Sequence, residues 1–123
     1  MQRRVNDMPT SYTKAACILG NHESRRIANN TQLRRNEDNS ISVVLHSTAI
    51  VTFEPWGVIR LDSNGYSTIT TKRRINACLP EGFHLYQRAY CWYLAASPPS
   101  EVPTQDQEFF DGMKIRPFLT ERK

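Results

Sequence analysis

Between residues 31 and 62 apolar and polar residues alternate with a period of two, interrupted at short intervals by polar turns. Thr31 to Arg35, the turn Asn36-Glu37-Asp38-Asn39, and Ser40 to His46 read as a hairpin. Ala49 to Glu54 follows after only Ser47-Thr48, and Pro55-Trp56-Gly57 turns the chain into Val58 to Asp62. On this register Ile41, Val43, Leu45, Val51, Phe53, Ile59 and Leu61 share one face, with His46, Thr52 and Arg60 on the other. Loops this short leave room only for sequential antiparallel strands, a β-meander.

Two stretches break the alternation. Tyr12 to Leu19 (YTKAACIL) predicts a short helix, with Ser11 as its cap and Gly20-Asn21 as its stop. After the turn signal Asp62-Ser63-Asn64-Gly65, residues Ile75, Cys78 and Leu79 fall at i, i+3 and i+4, which predicts a second helix that packs one face on the sheet. Thr70 or Thr71 is the expected cap and Pro80 the end. Phe83 to Gln87 and Cys91 to Ala95 predict an aromatic-rich second hairpin around Arg88-Ala89-Tyr90. The expected fold class is α+β: an antiparallel β-meander with one or two short helices and a second hairpin. All 123 residues form one domain on this reading, with a loose N-terminus over 1–11. A Pro-rich linker over 97–108 leads to a tail, Phe109 to Arg116, expected to dock on the body or on a neighbouring subunit.

Charge changes the picture. Sixteen cationic against twelve acidic side chains leave a net charge of +4, and twelve of the cations are arginine. Most arginines come in clusters: Arg3-Arg4, Arg25-Arg26, Arg34-Arg35 and Lys72-Arg73-Arg74. Guanidinium forks pair bidentately with phosphate and stack on flat rings, which a lysine ammonium does not do. The bland alternative is a solvated surface. Mild overall basicity suits an anion held in a few pockets better than a long nucleic-acid track. Three scattered cysteines without C-x-x-C spacing fit a reducing compartment, and no run of eighteen apolar residues predicts a membrane span.

Candidate catalysis is thin. His22, His46 and His84 lack partners at metal-ligand spacing, no G-x-S-x-G elbow or glycine-rich phosphate loop is present, and the acids cluster in turns. No metal, cofactor or catalytic residue is expected. The segment Thr70-Thr71-Lys72-Arg73-Arg74 is different. It opens a helix, where free backbone N–H groups and the positive end of the dipole already favour an anion, and it adds hydroxyls and cations there. Thr71, Arg73 and Arg74 are therefore candidate ligand contacts, and Arg25, Arg26, Arg34, Arg35 and Arg116 are candidates to complete the pocket from elsewhere. Among Phe83, Tyr86, Tyr90, Trp92, Tyr93, Phe109 and Phe110, most are expected in the core or at an interface, with one or two available to stack a base.

The segments IANNTQLRR (27–35), ISVVLHSTAIVTF (41–53), GVIRLDSNGYSTITTKRRIN (57–76), LYQ (85–87), WYL (92–94) and FFDGM (109–113) together resemble the anti-Thoeris sponge family of phage proteins. Positions that match its pattern are Asn29, Asn30, Thr31, His46, Thr70, Thr71, Lys72, Arg74, Ile75, Asn76, Gln87, Phe110 and Asp111, whereas Tyr66 replaces a usual Trp and Arg73 a usual acid. The resemblance implies a non-enzymatic protein in the cytoplasm of the infected bacterial host. It implies binding of a cyclic ADP-ribose isomer at subunit interfaces, with some members holding cyclic trinucleotides of the CBASS pathway. It also implies assembly of dimers into hexamers, and it adds Asn76, Gln87 and Phe110 to the candidate ligand contacts. Two rival expectations stand beside it: a nucleic-acid-binding phage regulatory module, and a nuclease or phosphodiesterase that degrades a signal.

Overall fold

A computed structural model describes residues 8–65, 68–97 and 106–118. Among them the chain forms helix α1 (Tyr12–Leu19), strands β1 (Ser24–Ala28), β2 (Thr31–Arg35), β3 (Ile41–Leu45), β4 (Thr48–Phe53) and β5 (Ile59–Leu61), and helix α2 (Ile69–Ala77). Strands β6 (Phe83–Arg88), β7 (Cys91–Ala96), β8 (Gln107–Glu108) and β9 (Met113–Ile115) follow. The fold class is α+β, dominated by the expected meander. Six strands pair in the order β1-β2-β3-β4-β5-β9 and three in the order β6-β7-β8, every pair antiparallel.

Each hairpin follows from its turn residues. The alternation places Leu33, Ile41, Val43, Val51, Phe53, Ile59 and Leu61 in one core, with Leu85, Trp92 and Leu94 of the second sheet, Ala15 and Leu19 of α1, and Ile75 and Cys78 of α2. A β-bulge between Val43 and Val44 turns both Ile50 and Val51 inward. Arg60 and Thr52 take the opposite face as expected, in one cross-strand row: Arg34, Ser42, Thr52, Arg60, Lys114. The two central hydroxyls are buried and bonded to each other at 2.8 Å, so this polar row is satisfied within the sheet.

Helix α1 is capped as read: Ser11 Oγ accepts from the Lys14 N–H, and Gly20, at φ +61°, donates back to Ala16. Helix α2 starts earlier than read. Thr68, not Thr70 or Thr71, is its cap, with Oγ1 accepting from the Thr71 N–H at 3.1 Å. The three cations therefore do not crowd the first turn, and Arg74 sits in the last turn, where the dipole favours it.

Three strands were not anticipated. β1 was missed because Ser24-Arg25-Arg26 lacks apolar alternation; it is an exposed edge. β8 extends the second hairpin to a three-stranded sheet, and β9 docks the tail on β5 of the same chain. Met8 is buried in the core, which corrects the expectation of a loose terminus for residues 8–11; residues 1–7 and the linker positions 98–105 lie outside the described residues.

Candidate functional site

An antiparallel meander places alternate turns at the same end of the sheet. The β1–β2 turn (Asn29, Asn30), the β3–β4 turn (His46, Ser47) and the segment after β5 (Ser63, Asn64) thus meet at one end, where the N-terminus of α2 joins them. Between them opens a cleft of about 790 Å³, lined by these residues with Thr68, Thr70, Thr71 and Arg74 of the helix and by Leu45, Thr48 and Ile50 of the strands. That volume lies within the usual range of small-molecule sites.

The geometry of the walls is fixed by tight turns. Asn30, His46 and Asn64 all adopt left-handed backbone conformations, at φ +52°, +58° and +52°. Asn and His are among the non-glycine residues found most often in this region. The His46 N–H donates to the Asn30 carbonyl at 2.7 Å and ties two of the turns together.

Thr70, Thr71 and Arg74 fall at i, i+1 and i+4 on one face of α2. The Arg74 Nε donates to Thr31 Oγ1 at 3.0 Å and its Nη2 to the Asn29 carbonyl at 3.3 Å, while Thr31 Oγ1 itself donates to that carbonyl at 2.7 Å. A guanidinium carries five N–H donors, so these contacts orient Arg74 at the cleft wall and leave capacity for an anion. The first-turn N–H groups of α2 precede the first helical hydrogen bond and add to the positive field. Among the described residues no acidic side chain lines the cleft. The cleft is thus built from hydroxyls, amides, one histidine and one arginine over a partly apolar floor, an arrangement able to hold a phosphate-bearing molecule.

Of the candidate contacts, Thr71 and Arg74 line the cleft; the others are elsewhere. Arg25 donates to the Ile18 carbonyl at 2.8 Å and Arg35 to the Gly20 carbonyl at 2.9 Å, so this pair satisfies the C-terminal end of α1. Arg26 bonds Ala28 and Asn29 within its own turn, and Arg34 bonds Asn36. Asn76 pairs its amide with both the N–H and the C=O of Leu85, at 2.7 and 2.8 Å, which fastens α2 to β6. Arg73 and Gln87 are exposed, Phe110 is 53% exposed beside β9, and Arg116 approaches Gly57 at the opposite end of the sheet.

The aromatic residues divide similarly. Trp92 and Phe109 pack together, whereas His84, Tyr86 and Tyr93 form a stacked ladder on the second sheet, with Arg88 over Tyr93. Asn29, Asn30, His46, Ser63 and Asn64 are cleft residues that charge and helix reasoning did not select. Turn signals marked Asn36 to Asn39 equally well, so turn chemistry alone carried no pointer to the cleft.

Cys17, Cys78 and Cys91 are free thiols. Burial pushes the Cys78 thiol up to about 12, with nearby Arg74 acting in the opposite direction. Among the described residues no group of three or more His, Cys, Asp or Glu could hold a metal ion, and no helix is long and apolar enough to cross a membrane.

These features define a small α+β protein with a polar cleft at one end of a meander. Residues 8–116 match the family described as Kyanoviridae Gp96 protein, and the chain belongs to that family of phage proteins. No curated protein and no solved structure matches the chain.

Proposed function

We propose that this phage protein binds a phosphate-bearing cyclic nucleotide in the cleft between α2 and the three turns, and acts by sequestering it rather than by turning it over. The observation that carries this reading is the convergence of Thr70, Thr71 and Arg74 with the α2 N-terminus on a cleft that, among the described residues, no acidic side chain lines. The phosphate lies against the first turn and Arg74, and the nucleoside extends toward His46, Leu45 and Ile50. The resemblance to the anti-Thoeris sponges supports the same reading, because Asn29, Asn30, Thr31, His46, Thr70, Thr71 and Arg74, all matching positions of that pattern, meet here. Cyclic ADP-ribose isomers and cyclic trinucleotides are the ligands to test, in the infected host cell, with assembly into dimers and hexamers as part of the proposal.

Thr70→Glu separates ligand binding from stability. A carboxylate in the first turn of a helix is stabilised by the dipole by about 0.3–1 kcal/mol, so the variant should melt no lower than wild type. The same charge repels an anion in the cleft, and calorimetry should show affinity for a cyclic ADP-ribose isomer falling about tenfold or more. Bound ligand released by heat should be chromatographically intact. Loss of more ligand molecules than there are sites would point to an enzyme, and unchanged affinity in Thr70→Glu would rule out this cleft.

A second reading has its own observation. The row Arg34, Arg60 and Lys114 sets three cations across the sheet, and Arg60 shares the Glu54 carboxylate with the exposed Trp56, a cationic row beside an aromatic ring that could meet a nucleic acid. That partner predicts affinity that falls steeply with salt and is insensitive to Thr70→Glu.

A further inference from the structure

Asp111 lies outside the cleft, yet it holds one of the cleft walls. It sits in the turn between Phe110 and β9, where the Gly112 N–H donates to the Leu61 carbonyl and Met113 pairs with Leu61. Its Oδ1 accepts from both the backbone N–H and the hydroxyl of Ser63 at 2.8 Å, and its Oδ2 accepts from the Gly65 N–H at 3.2 Å. Ser63 and Asn64 line the cleft. The wall also has short-range bonds, from the Asn64 N–H to Asp62 and from the Gly65 N–H to Ser63 Oγ, but these join the loop only to itself. Asn64 and Gly65 both stand at positive φ, +52° and +82°, a geometry that a free Asn-Gly turn shares with several others. The carboxylate selects one of them. It bridges two N–H groups and a hydroxyl, and charge-assisted bonds of this kind are stronger than neutral ones.

We propose that Asp111 is a positioning residue for the cleft, one that couples ligand affinity to the docking of β9 on β5. The proposal rests on the cleft reading above. The C-terminal segment acts as a strap: with β9 in place and Asp111 seated, Ser63 and Asn64 face the α2 N-terminus at the spacing a ligand needs. Coupling is reciprocal, so a ligand that requires the seated wall must also tighten the strap. This gives the Phe109-Phe110-Asp111-Gly112-Met113 motif a task that its exposed Phe110 does not explain.

The test compares the full chain with Asp111→Ala and Asp111→Asn at 10 °C, with circular dichroism showing all three folded. Amide hydrogen exchange at Ser63 should quicken about tenfold or more in Asp111→Ala, because its N–H loses its acceptor, and by less at Gly65, whose N–H keeps Ser63 Oγ. The His46 amide, bonded to Asn30 on the other wall, should not change. Affinity for a cyclic ADP-ribose isomer should fall about tenfold in Asp111→Ala and less in Asp111→Asn, which keeps one acceptor oxygen. In wild type the same ligand should slow chymotrypsin cleavage after Phe110. Unchanged exchange at Ser63 and Gly65 overturns the proposal, as does quickened exchange with undiminished affinity. If the wild-type chain binds no cyclic nucleotide, the cleft reading fails on its own account, and the exchange measurements still decide whether Asp111 holds the wall.

Discussion

At one end of the first sheet the turns Asn36–Asn39 and Glu54–Val58 close largely on themselves, whereas at the other end the turns at Asn29, His46 and Ser63 are fastened by residues from far along the chain. In the first group the Asn36 N–H bonds Ser40, the N–H and hydroxyl of Ser40 bond Asp38, the Glu54 N–H bonds Val58, and the carboxylate of Glu54 holds both Trp56 and Arg60. One longer tie, from the Tyr12 hydroxyl to the Asn39 carbonyl, joins α1 to this end. In the second group Arg74 reaches back 43 and 45 residues to Thr31 and Asn29, and Asp111 reaches back 48 to Ser63. Turns of the first kind need only their own residues to form. The cleft exists only once α2 and β9 have docked, so its formation carries the loop-closure cost of long-range contacts. A cleft assembled this way can be tuned by residues distant in the chain.

The largest expected contrast comes from removing one buried hydroxyl at each end. Thr31→Val deletes the oxygen shared by Arg74 and Asn29 at a site only 2% exposed and should cost about 1–3 kcal/mol in chemical denaturation, with a fall in ligand affinity as Arg74 loses its anchor. Ser40→Ala, equally buried, should cost about 0.5–1.5 kcal/mol and leave affinity unchanged, since its partners Asp38 and Asn36 belong to one turn. Equal affinity losses in the two variants would erase the distinction between the ends.

Thiol chemistry gives a second probe of the docked helix. Cys17 is exposed, and Cys78 lies in the core at the C-terminal end of α2 with its thiol raised to about 12. At pH 8 an aromatic disulfide reagent should modify Cys17 within minutes and spare Cys78 until α2 detaches. Thr31→Val should speed Cys78 labelling, and Ser40→Ala should not.

The smallest effect concerns the self-contained end. The hydroxyl and N–H of Ser40 hold the Asp38 carboxyl below its ordinary 3.8, the hydroxyl contributing most. A carboxylate lowered in the folded state adds stability above its unfolded pKa, and this is lost as pH falls through the lowered value, so the window lies below about pH 4. Carbon-detected NMR titration should place Asp38 below 3.8 in wild type and nearer to it in Ser40→Ala, with no response to ligand.

The same division decides how much the sequence revealed. Alternation and turn chemistry are local signals, and they disclosed β2 to β5, the second hairpin and α1 with its caps. The cap of α2 was displaced because three nearby threonines, Thr68, Thr70 and Thr71, offer similar hydroxyls and only the register of Ile75 and Cys78 on the core selects among them. Thr71 and Arg74, selected from helix physics, line the cleft. Arg25 and Arg35 were not legible as caps for α1, because the carbonyls they serve lie 7 and 15 residues away in a different element. Asn29 and His46 were marked only through the resemblance and Ser63 not at all, since their place at the cleft follows from which end of a meander each turn occupies, a fact of topology that no single segment encodes.

Asn76 carries a consequence beyond the helix it belongs to. β6 is an outer strand of the second sheet, and the backbone groups of Leu85 that its amide occupies point away from β7. An open strand margin is a template on which another chain can pair, the usual beginning of sheet-mediated aggregation. By answering one N–H and one C=O with a side chain, the protein closes that margin at its middle without adding a strand. Backbone pairing of another chain along this margin of the small sheet is thereby blocked at Leu85.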